Sequence, residues 1–186
     1  SNGLGIYTRG EFQFSLVRFS QQPFIPGEND RNFEPSRSQV ELTLKKGDYG
    51  FWRTSARATS DFFINTPLMR LRCEANSFSI WVQDDKISFF LADGTANLEI
   101  PQTGFKEIVQ SGQYIVLNKA DIEKPYPLKI ERATSREQTR SDKLTTMARW
   151  SYRRIRFEQD AAGALMPRVY IPKTHFEQRP VGDPNL

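Results

Sequence analysis

Apolar and polar residues alternate along most of the first 130 residues. In "SQVELTL", Val40, Leu42 and Leu44 alternate with polar residues, and the same alternation recurs in "FSIWV" (78–82) and "ISFFL" (87–91). A period of two predicts half-buried β-strands, because successive side chains of a strand point to opposite faces. The pattern predicts an all-β fold of about nine or more short, mostly antiparallel strands, in a β-sandwich or β-solenoid.

Short polar segments separate the predicted strands. "KKGD" (45–48) and "ADGT" (92–95) are typical of hairpin turns, because glycine adopts positive φ at little cost, and "QDDK" (83–86) predicts a further turn. Thr66-Pro67 lies between two predicted strands, although proline cannot donate a hydrogen bond to a sheet. Because proline favours an extended conformation in the preceding residue, we interpret this pair as a structural corner.

The pattern changes after Pro127. The segment "SREQTRSDKLTTMARWSYRRIRFEQ" lacks Gly and Pro and has apolar residues at helical spacing, which predicts an amphipathic helix. The chain therefore divides into an N-terminal strand and long loop (1–37), a β-domain (38–130), a C-terminal helix packed on it (131–162), and an extended proline-rich tail or linker (163–186).

Composition and charge narrow the protein class only in part. The chain has 186 residues, 12% of them aromatic, which is enough for one domain with a hydrophobic core. A net charge of +4 permits attraction to nucleic acid, anionic lipid or an acidic protein but selects none of them. The single cysteine excludes an internal disulfide. No signal peptide or membrane-spanning segment is visible.

Few residues carry catalytic chemistry. The single histidine, His175, lies in the proline-rich tail, and Cys73 alternates into the predicted core, so the two do not indicate a nucleophile with its base. Metal ligands at a suitable spacing and a glycine-rich phosphate loop are both missing from the sequence. We therefore predict a protein that is not an enzyme and holds no cofactor or metal ion.

One candidate binding surface lies on the predicted strands. Phe63, Arg70, Arg72, Trp81 and Phe90 occupy positions opposite the buried alternation. An exposed patch of aromatic and arginine side chains is typical of protein-binding surfaces. The alternative is that these side chains form a second layer beneath the C-terminal helix.

A second candidate surface lies on the predicted helix. Arg149, Arg153 and Arg156 are spaced so that they share one helical face. Such a face could contact phosphate groups or anionic lipid, or it could simply be solvated.

Three functions are open at this point. The first is a sensory or scaffold module that binds a protein partner or an envelope polymer. The second is a carbohydrate-binding β-domain, which predicts a groove with Trp81 or Trp52 beside paired carboxylates. The third is a nucleic-acid or anionic-surface binder, which predicts one continuous positive surface that includes the three helix arginines.

The ordered set of strands and turns resembles the FecR-like domain family over about residues 38–158. The "MARWSYRRIRFEQ" segment is similar to the Trp/Arg helix that follows this domain in some envelope proteins, whereas Ala75-Asn76 replaces the Gly-Thr of many members. The matching β-domain positions are Leu42, Leu44, Gly47, Ile64, Thr66, Pro67, Phe78, Ile80, Val82, Asp93, Gly94, Gly112 and Gln113.

The resemblance implies a non-enzymatic signalling or scaffolding module in the periplasm or cell envelope. In the best-known branch, an inner-membrane protein relays a signal from a TonB-dependent outer-membrane transporter to a cytoplasmic sigma factor that regulates iron transport. We accordingly expect a protein partner or an envelope polymer and no nucleic acid. We expect membrane attachment only through an anchor outside this chain.

Overall fold

The computed structural model describes residues 4–21, 38–53, 61–151, 154–159 and 165–170, the last two segments by their backbone alone. The elements within these residues are β1 (Leu4–Gln21), β2 (Ser38–Arg53), β3 (Asp61–Asn65), β4 (Arg70–Val82), β5 (Lys86–Ile100), β6 (Phe105–Gln110), β7 (Gln113–Asn118), β8 (Leu128–Arg132), α1 (Ser135–Ser151), β9 (Arg154–Gln159) and β10 (Leu165–Tyr170).

Strands β1 to β8 form one mixed sheet. Its order is β1-β2-β3-β4-β5-β7-β8, β6 lies beside β5, and β2 also pairs with β4. The β2–β3 pair is parallel and the other described pairs are antiparallel. Together with α1, this arrangement confirms the predicted all-β fold with a C-terminal helix, although four of the strands are long rather than short.

One hydrophobic core lies on the inner face of the sheet. The residues predicted to point inward from β2 (Val40, Leu42 and Leu44) are all buried there. The Phe51 and Phe78 rings stack at the centre, with their centroids 4.7 Å apart. Because buried side chains from β2 through β7 belong to one cluster, the sheet must curve around its own apolar face.

The predicted hairpins at 45–48 and 92–95 are wrong, because both segments lie inside continuous strands, β2 and β5. Gly94, at φ 108°, lies opposite Ala75, and the β4–β5 register shifts directly after that pair. Gly47 has φ 123°. A glycine at positive φ suits a β-bulge as well as a tight turn, so the local sequence does not distinguish the two.

Thr66 and Pro67 form the turn from β3 to β4. The Thr66 N–H donates to the Met69 carbonyl (2.9 Å). The Thr66 hydroxyl donates to the same carbonyl (2.7 Å) and accepts a hydrogen bond from the Met69 N–H (3.0 Å). Proline is favoured at the second position of such a turn because its φ is preset.

Thr66→Ala is expected to lower the free energy of unfolding by about 1–2 kcal/mol, because it removes both side-chain hydrogen bonds of this turn. Urea denaturation of wild type, Thr66→Ala and Thr66→Ser measures the loss. Serine keeps the hydroxyl and should retain most of the stability. Equal losses in the two variants would contradict this role for the hydroxyl group.

Helix α1 starts within the predicted segment but ends earlier. At its start, the Thr134 N–H donates to Glu137 Oε2 (2.7 Å) and the Glu137 N–H to Thr134 Oγ1 (3.4 Å), which is a capping box. The helix ends at Ser151, and the next described residues, from Arg154, form β9. Ile155 and Phe157 fit a period of two as well as a helical period, so the sequence pattern alone is ambiguous here.

Part of the predicted tail is a strand. Residues 165–170 form β10, which pairs antiparallel with β9. Residues 171–186, and residues 22–37 of the predicted long loop, lie outside the described residues. No helix in the described part of the chain is long and apolar enough to cross a membrane.

Glycines on β1 and β2 allow α1 to lie directly against the sheet. A Cβ atom placed on Gly50 would lie 2.4 Å from the Leu144 carbonyl carbon and oxygen, and one on Gly5 would lie 2.1 Å from the Ala148 carbonyl oxygen. Contacts this short leave no room for any side chain. The two glycines therefore determine how closely the helix backbone approaches the strands.

Candidate functional site: an open groove on the outer sheet face

The outer face of the sheet is divided into a covered half and an open half. Helix α1 lies mainly over β1 and the later part of β2, and it also covers the later part of β4 and the early part of β5. Trp81 and Phe90 are only 3% and 4% exposed there, in a small cluster with Leu144. The Arg140 guanidinium lies over the Trp81 ring, 4.6 Å from its centroid. These two aromatic candidates therefore belong to a second layer under the helix and are not accessible to a partner while α1 is in place.

The other half of the outer face is open and holds the remaining strand candidates. Phe63, Arg70 and Arg72 line one groove of about 920 Å³ on β2 to β6. Pairing places Phe63 opposite Arg72, then Asn97, then Ile108, one strand further each time. With a strand spacing near 4.8 Å, Phe63 and Ile108 stand about 14 Å apart at the two sides of the groove.

Neighbouring polar groups hold the groove arginines in place. Arg72 Nη2 donates to Asp61 Oδ1 (3.2 Å). Arg70 Nε donates to Asn65 Oδ1 (2.9 Å), and Asn65 Nδ2 in turn donates to Glu41 Oε1 (2.7 Å). Because these side chains are already oriented, a ligand would bind them with a smaller loss of rotamer entropy.

Charges of both signs line the groove beside its apolar residues. In the next row of side chains, Arg70 lies opposite Glu99, which lies opposite Lys106. Glu41 and Glu107 add negative charge at the two sides. A lining of alternating sign offers no concentrated positive field for a polyanion, and it fits a surface that also carries both signs.

The edge of the groove at β6 is partly closed to strand addition. The Ile108 N–H donates to Glu107 Oε1 (3.0 Å) and the Gln110 N–H to Gln113 Oε1 (2.7 Å). In an antiparallel pair, alternate residues point their backbone groups away from the partner strand, so these bonds occupy donors on the free edge. A ligand would therefore bind the groove through side chains rather than by extending the sheet at β6.

The three candidate arginines of the predicted basic face do not share one helix. Arg149 is on α1, where its guanidinium lies 5.8 Å from the Trp52 ring centroid and its Nε is buried without a hydrogen-bond partner among the described residues. Arg156 is on β9, and Arg153 lies outside the described residues. The arginines could share one helical face only if the helix continued to Arg156, but α1 ends at Ser151.

The carbohydrate hypothesis required an indole beside paired carboxylates. Trp81 is buried beneath α1, and neither Trp81 nor Trp52 lines the groove. Phe63 is the aromatic side chain that lines the groove instead.

The lone cysteine is a core residue. Burial raises the pKa of the Cys73 thiol to about 12, against a smaller opposing effect of Arg53. The thiol is therefore protonated at neutral pH and sealed from solvent. His175 lies outside the described residues. No group of three or more His, Cys, Asp or Glu side chains in the described ranges is placed to hold a metal ion.

Sequence reasoning missed most of the residues that line the groove. Most of them have the outward phase of their strands, and this phase was the available signal, whereas Leu98 and its pairing partner Glu107 have the inward phase. What the sequence lacked was the order of the strands, which decides which outward residues become neighbours. The missed groove residues are Gln39, Glu41, Asn97, Leu98, Glu99, Lys106, Glu107 and Ile108.

Comparison with known proteins gives limited matches. No family model matches the chain, and no curated protein matches it. Two crystal structures of a provisionally assigned anti-sigma factor from Parabacteroides distasonis are similar in backbone. One has 12% identity and a TM-score of 0.44 over 73% of this chain and 63% of that chain. The other has 11% identity and a TM-score of 0.43 over 72% and 62%. The chain thus spans less than two thirds of either neighbour.

Proposed function

We propose that this chain is a non-enzymatic, FecR-like module of the cell envelope that binds a protein partner through the outer-face groove. The observation that carries the proposal is the groove itself. It brings Phe63, Arg70 and Arg72 together on an open sheet face, with both arginines held by hydrogen bonds. The envelope location and the role in signalling or scaffolding are supported by the resemblance over residues 38–158.

The composition of the groove favours a protein over a polymer of one repeating charge. Arginine and aromatic side chains contribute most of the binding energy in many protein interfaces, and here Phe63 lies directly beside Arg72. Carboxylates and a lysine lie around them, which suits a partner with complementary charges of both signs. We therefore expect the partner to place an apolar side chain against Phe63 and a carboxylate near Arg72.

Site-specific photo-crosslinking tests this proposal. A benzoylphenylalanine at position 63 samples the groove, and the same residue at position 129 on β8 is the matched control on an exposed strand. In intact cells of the source organism, we expect position 63 to yield one defined protein adduct that position 129 does not yield. Arg72→Glu should remove the adduct, whereas Arg136→Glu, an equal charge change on α1, should not.

Three results would contradict the proposal. The first is equal labelling from both positions. The second is an adduct that survives Arg72→Glu. The third is an adduct whose attached material withstands protease and therefore belongs to an envelope polymer. Each variant must first melt at the wild-type temperature, so that loss of the adduct reports the groove rather than unfolding.

A further inference from the structure

The later half of β1 carries an apolar row that no described element covers. Phe12, Phe14, Leu16, Val17 and Phe19 are 44–57% exposed. This is unusual because Phe14, Leu16 and Phe19 pair with Leu44, Leu42 and Val40 and so share the core-facing side of the sheet. The hydrophobic face of the sheet thus continues past the closed core onto an uncovered strand.

The apolar row differs from the other ends of this sheet. The β6 edge has two N–H groups bonded to nearby side chains, Glu107 on β6 and Gln113 on β7, and the β8 edge carries a Lys129–Glu131 ion pair (2.9 Å). Both devices discourage association between sheets. Residues 12–21 of β1, in contrast, include one charged residue, Arg18. The sheet is therefore protected against association at β6 and β8 and left apolar at β1.

We propose that a second copy of this chain covers the β1 apolar row, so that the protein is a two-fold symmetric dimer. This inference is independent of the groove, which lies on the outer face. Two copies of a patch that carries a single charge can pack together without strong repulsion. A two-fold dimer, in which identical patches meet, is the commonest form of oligomer symmetry.

The area of the patch is sufficient for such a dimer. Aromatic side chains bury roughly 150–250 Å² when enclosed and leucine and valine somewhat less, so three phenylalanines, a leucine and a valine that are about half exposed leave roughly 450 Å² per copy. With the polar atoms between them, two copies would bury about 1,000 Å² in total, the size at which a specific interface becomes expected.

Side-chain packing rather than a continuous hydrogen-bond ladder carries the contact. Val17 is skipped in the β1–β2 register, so it forms a bulge in the middle of the segment. A bulge bends the strand and interrupts pairing on its free edge. Phe12 and Phe14, by contrast, are already stacked, with centroids 6.0 Å apart, and present a preformed aromatic surface.

Sedimentation equilibrium and light scattering of the purified chain test the proposal. Wild type is expected to be a dimer, and Phe14→Ser/Leu16→Ser should weaken dimerisation about a hundredfold, as loss of two central side chains does in other interfaces. The matched control, Tyr126→Ser/Ile130→Ser, removes two exposed apolar side chains elsewhere and should remain a dimer. A dimer that persists in the β1 variant overturns the proposal.

A second variant decides the result if the double variant unfolds. Because Cys73 is buried, Leu16→Cys introduces one accessible thiol. Its rate of reaction with a maleimide must fall as protein concentration rises. A rate that is slow at every concentration in a protein that sediments as a monomer means that the chain covers the row itself. If the protein is still a monomer at near-millimolar concentration and its thiol reacts fast, the row is uncovered and available to a different protein. Either outcome overturns the dimer.

Discussion

Gly50→Ala is expected to displace α1 from the sheet and to lower the free energy of unfolding by about 3 kcal/mol, because the new methyl group cannot fit. The added Cβ would lie 2.4 Å from the Leu144 backbone and 2.7 Å from its Cβ. Neither neighbour is the flexible end of a side chain, so the whole helix must move. Displacement would also separate the Ser79 and Ser141 hydroxyls, which are 2.8 Å apart and buried.

Hydrogen exchange with mass spectrometry measures this effect where it occurs. Peptides from α1 should exchange faster in Gly50→Ala, while peptides from the β4–β5 core keep most of their protection. Gly104→Ala is the control, because Gly104 has φ 70° and nothing within 4 Å of a new Cβ. Gly104→Ala should lower the free energy of unfolding only by the backbone strain, about 1 kcal/mol. Protection of α1 at the wild-type level in Gly50→Ala would show that the helix does not rest on this glycine.

Phe78→Ala is expected to lower the free energy of unfolding by about 4 kcal/mol, because it leaves a cavity at the centre of the core. The Phe78 ring is fully buried and contacts three other rings: it stacks on Phe51 (4.7 Å) and also meets Phe62 (6.0 Å) and Phe89 (5.9 Å). These rings come from β2, β3 and β5, so the cavity weakens the packing of four strands together.

Phe63→Ala is the matched control for this prediction. It is the same chemical change on the neighbouring strand, but the Phe63 side chain is half-buried on the open outer face. Its loss should cost about 1 kcal/mol or less, since little of the removed surface is enclosed. Chemical denaturation of both variants gives the comparison. Similar losses would mean that the outer face is packed and that the groove is not a free surface.

The faces of the strands were predictable from the sequence. The alternation around Leu42, and its recurrence through Ile80 and Phe89, placed these side chains in the core, where the structure has them. The same alternation placed Phe63, Arg70 and Arg72 on the opposite face. A period of two is a local property of an extended chain, so it survives whatever the strands later pair with.

The distinction between bulges and turns was not predictable. A glycine at positive φ follows polar residues at both Gly47 and Gly94, as it would in a hairpin. At Gly94 the chain instead continues opposite Ala75. Only the pairing with β4 over the whole length of β5 decides this outcome, because many ladder hydrogen bonds on both sides outweigh one local preference.

Sequence by itself determined the fold class, the inward and outward phase of the strands, and the presence of a helix after Pro127. Tertiary structure decided which part of the outer face stays open. It buried Trp81 and Phe90 under α1, left Phe63 with its two arginines open, and brought to them carboxylates from strands distant in sequence. The physical reason is that alternation specifies which face a side chain occupies, whereas strand order and helix docking, which depend on long-range contacts, specify which faces remain exposed.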